Sequence, residues 1–164
     1  MRTLETIPLS AELFAPYGDI VDFDVRDARV VNGGHALRAD TAAELEGIGG
    51  NPVLAIYRAA RQDLPLRLTT LERHPFSSQA FVAINVPRFL VVVVPADAEG
   101  LPDTDRAHAF VGTAGQGINY RPGVWHAPIT ALDQPGDFMM LMWERGTEDD
   151  CIVHHSPTPL FIAT

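Results

Sequence analysis

Glu72 and His74 stand two residues apart, just ahead of Pro75, in the stretch LERHPFSSQAF at residues 71–81. If residues 66–74 form a strand, their side chains alternate, so Glu72 and His74 share one face and Arg73 takes the other. Gln79 follows five residues after His74 and leads into an apolar run. A second stretch, GINYRPGVWHAP at residues 117–128, pairs with the first. There a Gly-bounded strand meets a turn at Arg121-Pro122-Gly123, strong turn chemistry, and His126 follows. Two imidazoles, a carboxylate and an amide, delivered from two β segments, can converge inside a small barrel. A lone histidine in a β-rich protein is ordinarily a hydrogen-bonded structural residue. A Glu-x-His pair flanked by apolar strands is different, because a carboxylate buried without a partner is costly.

Composition bounds what such a cluster can serve. The chain has 164 residues, which suits one domain over 1–164. A net charge of −9 makes nucleic acid and anionic membranes poor partners. No apolar run approaches the roughly eighteen residues of a membrane span. The start, MRTLETIPLS, lacks the apolar centre of a signal peptide. These features point to the cytoplasm. The single cysteine, Cys151, excludes an internal disulfide and a multi-cysteine metal site. All twelve cationic residues are arginines. Schiff-base chemistry from a lysine side chain is therefore absent, and an anionic substrate must be held by arginine, backbone N–H groups or a metal.

Several short elements must position the cluster. Residues 10–14 predict a short helix capped by Ser10, and residues 20–23 a strand. Asn32-Gly33-Gly34 reads as a turn or a backbone patch open to a ligand, with Arg38 shortly after. Residues 40–46 predict another short helix, capped by Asp40 or Thr41 and stopped by Gly47. From Pro52 onward the pattern is β. Strands are expected over 53–59, 66–74, 81–86, 89–94, 106–111, 115–120, 125–130 and 138–144, with 151–155 a late strand or extended tail. The run FLVVVV is continuous rather than alternating, as for a strand buried on both faces. Roughly nine short strands separated by turn signals argue for an all-β sandwich or barrel.

The layout of His74, Gln79 and His126 resembles a cupin, whose jelly-roll barrel, a double-stranded β-helix, carries two histidines, a glutamate and a third histidine in two motifs. Here Glu72 takes the place of the first histidine and Gln79 that of the glutamate. Glu72, His74, Gln79 and His126 remain a candidate set for a borderline divalent ion such as nickel, manganese or zinc. The finer resemblance is to the ureidoglycolate lyase family of the cupin superfamily. It is carried by PLSAELFAPYGD near the start, NGG at 32–34 with Arg38, YRA at 57–59, LERHP with QAF, VVVV, and QGINY…VWHAP, from about residue 8 to 155. The resemblance implies cleavage of ureidoglycolate to glyoxylate and urea in allantoin and purine degradation, a homodimer, and nickel in some members.

The residues make chemical sense of that implication. Ureidoglycolate is a carbinolamine: one carbon bears a hydroxyl, a carboxylate and a urea nitrogen. Breaking the C–N bond needs a base at the hydroxyl and an acid at the departing nitrogen, roles that Glu72, His74 and His126 can divide. Arg58 or Arg38 can grip the carboxylate bidentately. Asn32, Gln79 and Tyr120 are candidates to hold the rest of the substrate. Arg73 is expected to be structural, Trp125 a wall, Cys151 inert, and His154 and His155 solvated. His35 and His108 have no evident partner. Competing readings are an amidohydrolase releasing ammonia from the same substrate, and a non-enzymatic cupin module that binds a small carboxylic acid.

Overall fold

The computed structural model describes residues 2–23, 28–40 and 43–164. Fourteen strands run along the described chain: β1 (Arg2–Pro8), β2 (Gly18–Val21), β3 (Arg29–Val31), β4 (Ala36–Arg38), β5 (Asn51–Ala59), β6 (Leu66–Arg73) and β7 (Gln79–Ala83) in the first half. Then follow β8 (Arg88–Val94), β9 (His108–Thr113), β10 (Gly117–Tyr120), β11 (Trp125–His126), β12 (Thr130–Leu132), β13 (Gly136–Glu144) and β14 (Ile152–Ala163). One short helix, α1 (Ala11–Phe14), begins at Ser10, whose hydroxyl accepts from the Leu13 N–H.

Seven strands form one sheet in the order β11-β6-β14-β1-β9-β8-β12, and β11 also pairs with β8. That extra pairing closes six of the strands into a ring, a small barrel with no free edge around its circumference. A second sheet, β2-β10-β7-β13-β5, packs against one side of the ring. The fold is thus a mainly-β, cupin-like jelly roll.

Two cores result. One fills the ring with Leu4, Leu71, Leu90, Val92, Val94, Trp125, Leu160 and Ile162 among others. The other lies between the sheets and includes Phe14, Phe81, Phe89, Val91, Val93, Phe110, Tyr120 and Phe138. β8 is the wall they share: its even-numbered positions face one core and its odd-numbered positions the other. That is why its sequence is apolar at every position from Phe89 to Val94 rather than at every second one.

The structure corrects several sequence expectations. The strand count is higher because β1, β3 and β4 form where no strand was expected and because one predicted strand is broken. The strand expected over 125–130 splits at Pro128, which has no N–H for a ladder, and resumes at Thr130. Residues 43–46 of the helix expected over 40–46 are not helical, while Thr41 and Ala42 lie outside the described residues. Their backbone groups bond elsewhere: the N–H groups of Glu44 and Glu46 donate to Asp19 and Ser78, and the Glu44 carbonyl accepts from Asn119. The expected tail at 151–155 is the start of β14, which crosses the whole ring beside β6 and β1. β1 itself had no sequence signal of its own.

Candidate active site

The cluster lies between the two sheets at one end of the second core. Strand alternation sends Leu71 and Arg73 of β6 toward the ring, where Arg73 sits 4.6 Å over the Trp125 ring and donates to the Gly100 carbonyl. Glu72 between them faces the other sheet. His126 does the same on β11, opposite Trp125, and is the direct cross-strand partner of Glu72. His74 follows the end of β6, and Gln79 and Tyr120 reach in from β7 and β10. One ligand atom from each of Glu72, His74 and His126 falls within 4.8 Å of the others.

Hydrogen bonds fix a proton on Nδ1 of both rings. The Nδ1–H of His126 donates to the Val124 carbonyl at 2.8 Å, and that of His74 to the Asp150 carbonyl at 2.9 Å. A carbonyl only accepts, so in each neutral ring Nε2 carries a bare lone pair. His126 Nε2 points at Glu72 Oε1, 3.6 Å away, and at the Gln79 side-chain oxygen, 3.1 Å away. A lone pair facing two oxygens is repulsive. Three arrangements relieve it: a proton on Nε2, a cation among the three atoms, or rotation of the Gln79 amide to present its NH₂. His74 Nε2 is buried and has no hydrogen-bond partner among the described residues. Two imidazoles braced at Nδ1 by carbonyls, with Nε2 free and a carboxylate between them, form the donor set a divalent ion takes. The residues therefore fit a metal.

Burial and neighbours set the protonation. Glu72 is held below the usual carboxylate range, chiefly by its contact with His126, against the opposing effect of burial. His74 is held below the ordinary imidazole value, chiefly by burial and then by the proximity of His126. Tyr120 is fully buried, its ring stacked on His126 with centroids 4.0 Å apart, its hydroxyl unpartnered. Burial drives its pKa far upward, so the phenol stays protonated and remains a donor.

A groove leads to Glu72, lined by Tyr57, Ala59, Phe81, Pro128 and Ile129, with Arg58 at its rim. Tyr57 contacts the Phe81 ring, and its hydroxyl pKa is raised, first by burial and then by Glu72. Tyr57 was absent from the sequence candidates, although the alternation Val53, Ala55, Tyr57, Ala59 along β5 puts it on the inward face. Cys151 also sits here, its thiol 3.9 Å from Glu72 Oε2. Chain order gave no hint of that approach, which depends on β14 pairing with β6.

The remaining candidates lie elsewhere. Arg58 points off the opposite face of β5, where it donates Nε and Nη2 to the two oxygens of Asp137 at 2.8 and 3.0 Å. Its side chain is 82% exposed. Asn32 and Arg38 belong to the β3–β4 hairpin, exposed at the surface, with Arg38 bound to Asp40. His108 has a partner after all, the Tyr17 hydroxyl at 2.8 Å from Nδ1. His154 and His155 are part of β14, where His154 meets the edge of Trp125 and His155 approaches Thr70.

A cupin-like barrel with a carboxylate and two braced imidazoles in a lateral groove defines a class of small-molecule site. Comparison with known sequences narrows it. The profile of the family described as Ureidoglycolate lyase matches residues 1–163, and the chain belongs to that family. A ureidoglycolate lyase of Pseudomonas fluorescens is 38% identical over 156 residues, covering 94% of this chain and 92% of the relative. One from Mesorhizobium japonicum is 39% identical over 148 residues, 89% and 88% of the two chains. Among solved structures, a 3,4-ketoisomerase from Helicobacter canadensis aligns with a TM-score of 0.45 at 14% identity, over 82% of this chain and 88% of that one.

Proposed function

We propose that this protein is a ureidoglycolate lyase, releasing urea from ureidoglycolate and leaving glyoxylate. Family membership names the substrate class, and the observation that carries the chemistry is the meeting of ionised Glu72 with the bare Nε2 atoms of His74 and His126. The reaction balances without water. The hydroxyl proton leaves, its electron pair forms the aldehyde carbonyl, the C–N bond breaks, and the nitrogen takes a proton.

In this reading His126 Nε2 accepts the hydroxyl proton. Glu72 stabilises the imidazolium that results, and its lowered pKa makes it a better ion partner than base. The same imidazolium then hands its proton to the departing urea nitrogen. His74, kept neutral by burial, supplies a second acceptor lone pair. The protonated Tyr120 hydroxyl and the Gln79 amide hold the ureido group, and the apolar groove wall limits access of water. With a divalent ion bound, nickel being the expectation from the family resemblance, Glu72, His74, His126 and the Gln79 oxygen would hold it, the His126 Nε2 lone pair would be a ligand rather than the base, and the ion would supply acidity to the substrate hydroxyl.

Further parts of the reading rest on the same footing. Residues 1–164 act as one unit, at work in the cytoplasm in allantoin and purine degradation, and as a homodimer. The homodimer is supported by apolar side chains on the outward face of the second sheet, where Leu54 and Ile56 of β5 stand 67% and 61% exposed beside Leu141 and Met139 of β13. The deciding assay incubates the protein with ureidoglycolate, with and without chelator, and measures urea and ammonia separately. Urea with glyoxylate is the expected result; stoichiometric ammonia in a urease-free preparation would replace elimination by hydrolysis. A rate lost to chelator and restored by nickel would assign the ion.

A further inference from the structure

Among the described residues the β3–β4 hairpin pairs with no strand but its own. Its strands are three residues each, and a hairpin that small is not stable in water by itself. Its register places Val30 directly opposite Leu37, and both are exposed, 67% and 52%. They form an apolar knob on one face. On the other face Arg29 stands opposite Arg38, and Asp40 sits between the two guanidinium groups, accepting from Arg29 Nη1 at 2.6 Å and Arg38 Nε at 2.7 Å. Two cations on one carboxylate leave a positive patch on a chain whose net charge is −9. Among the described residues no protein group meets the Nη atoms of Arg38 or the side-chain amide of Asn32 at the hairpin tip.

The body of the chain has the complementary deficits. Leu54, Ile56 and Ile84 lie open on and beside the outer face of the second sheet. The groove to Glu72 opens along β5, the edge strand of that sheet, and among the described residues lining it the cationic one, Arg58, is bound to Asp137. A carboxylate brought beside ionised Glu72 needs one.

We propose that the hairpin of each copy of this chain seats on the outer sheet face beside β5 of a second copy, and that Arg38 and Asn32 complete the substrate groove of that second copy. Val30 and Leu37 cover Leu54 and Ile56. Arg38 then grips the carboxylate through its free Nη atoms, and Asn32 bonds the ureido end. The inference rests on the lyase and dimer readings above.

Mixed dimers test it. Glu72→Gln removes a site and Arg38→Gln removes an arm, so each variant alone is expected to be nearly inactive toward ureidoglycolate held well below the wild-type KM. Co-expressed, half of randomly assembled dimers are mixed, and each mixed dimer regains one complete site, giving about a quarter of the wild-type rate. Dimers that show no recovery would place arm and site on the same chain and overturn the proposal. So would an Arg38→Gln variant with unchanged KM. In that case Arg67, which lies further along β6 in the adjoining groove and has no acidic partner among the described residues, becomes the carboxylate ligand. Seating is read without any assay of activity. The double variant Val30→Asp, Leu37→Asp should sediment as monomer with an unchanged far-ultraviolet spectrum, and a dimer as tight as the wild type would overturn it. A wild-type chain that dimerises through the hairpin yet releases no urea would sink the lyase reading and leave the seating standing.

Discussion

Each group at the site is held by a specific neighbour. Glu72 touches His126, His126 is braced by the Val124 carbonyl, and His74 is braced by Asp150. Replacing Glu72 by Gln keeps the shape and removes the ion partner of His126. The rate of urea release is expected to fall by about 10²–10⁴, with the fold retained by circular dichroism. Arg58→Lys is expected to leave KM unchanged, since Arg58 faces Asp137 on the far side of β5; a raised KM in steady-state kinetics would return it to the site. Acid stability follows from the same contacts. The folded chain holds His74 neutral where the unfolded chain accepts a proton at an ordinary value of about 6.5. Stability is therefore full above that value and is lost as pH falls through the window down to the lower folded value. Glu72 adds its own loss further down, as pH drops through its depressed folded value. In chelator-treated protein the urea midpoint should fall as pH drops below about 6.5, and His74→Gln should flatten the upper part of that fall.

Among the elements, β8 bears the most packing. Leu90 is 2% exposed and faces the ring core, with Phe89 and Val91 turned into the other core on either side. Leu90→Ala is expected to cost about 2–5 kcal/mol, because neither core can close over the cavity without disturbing the other. Equilibrium urea denaturation measures this. Both β8 and the alternation of Glu72, Arg73 and His74 were legible in the sequence, since each depends only on period along one strand. The Pro-Gly turn before His126 was legible for the same local reason. What sequence could not show is pairing. β1 has no strong alternation and is held by β14 and β9, and the approach of Cys151 to Glu72 needs β14 laid against β6. The residues 43–46 misled because their helix-like composition is overruled by bonds to Asp19 and Ser78.

For the whole molecule, the same limit separates candidate residues that met from those that did not. Glu72, His74, Gln79, Tyr120 and His126 come from strands packed face to face. Asn32 and Arg38 were chosen by their types, and they lie on the exposed β3–β4 hairpin, apart from that cluster. Ile56→Asp, placed on the open face of β5, is expected to shift sedimentation toward monomer at micromolar concentration while leaving the spectrum of the folded chain intact.

The closed ring has a consequence for how the chain comes to its native state. β1 lies parallel to β14, with Leu4 beside Ile162, so the two strands that seal the barrel are drawn from opposite ends of the described chain. Loop closure of that span costs entropy before any contact repays it, and topologies dominated by such contacts fold slowly. On the ribosome β1 emerges well before β14 and must wait, unpaired on one side, until β14 is made. During that interval Leu4, Leu71 and Leu90 have no lid. The vulnerable species in the cell is thus the chain that still lacks β14, and chaperone demand should persist until Ile152–Ala163 has left the tunnel.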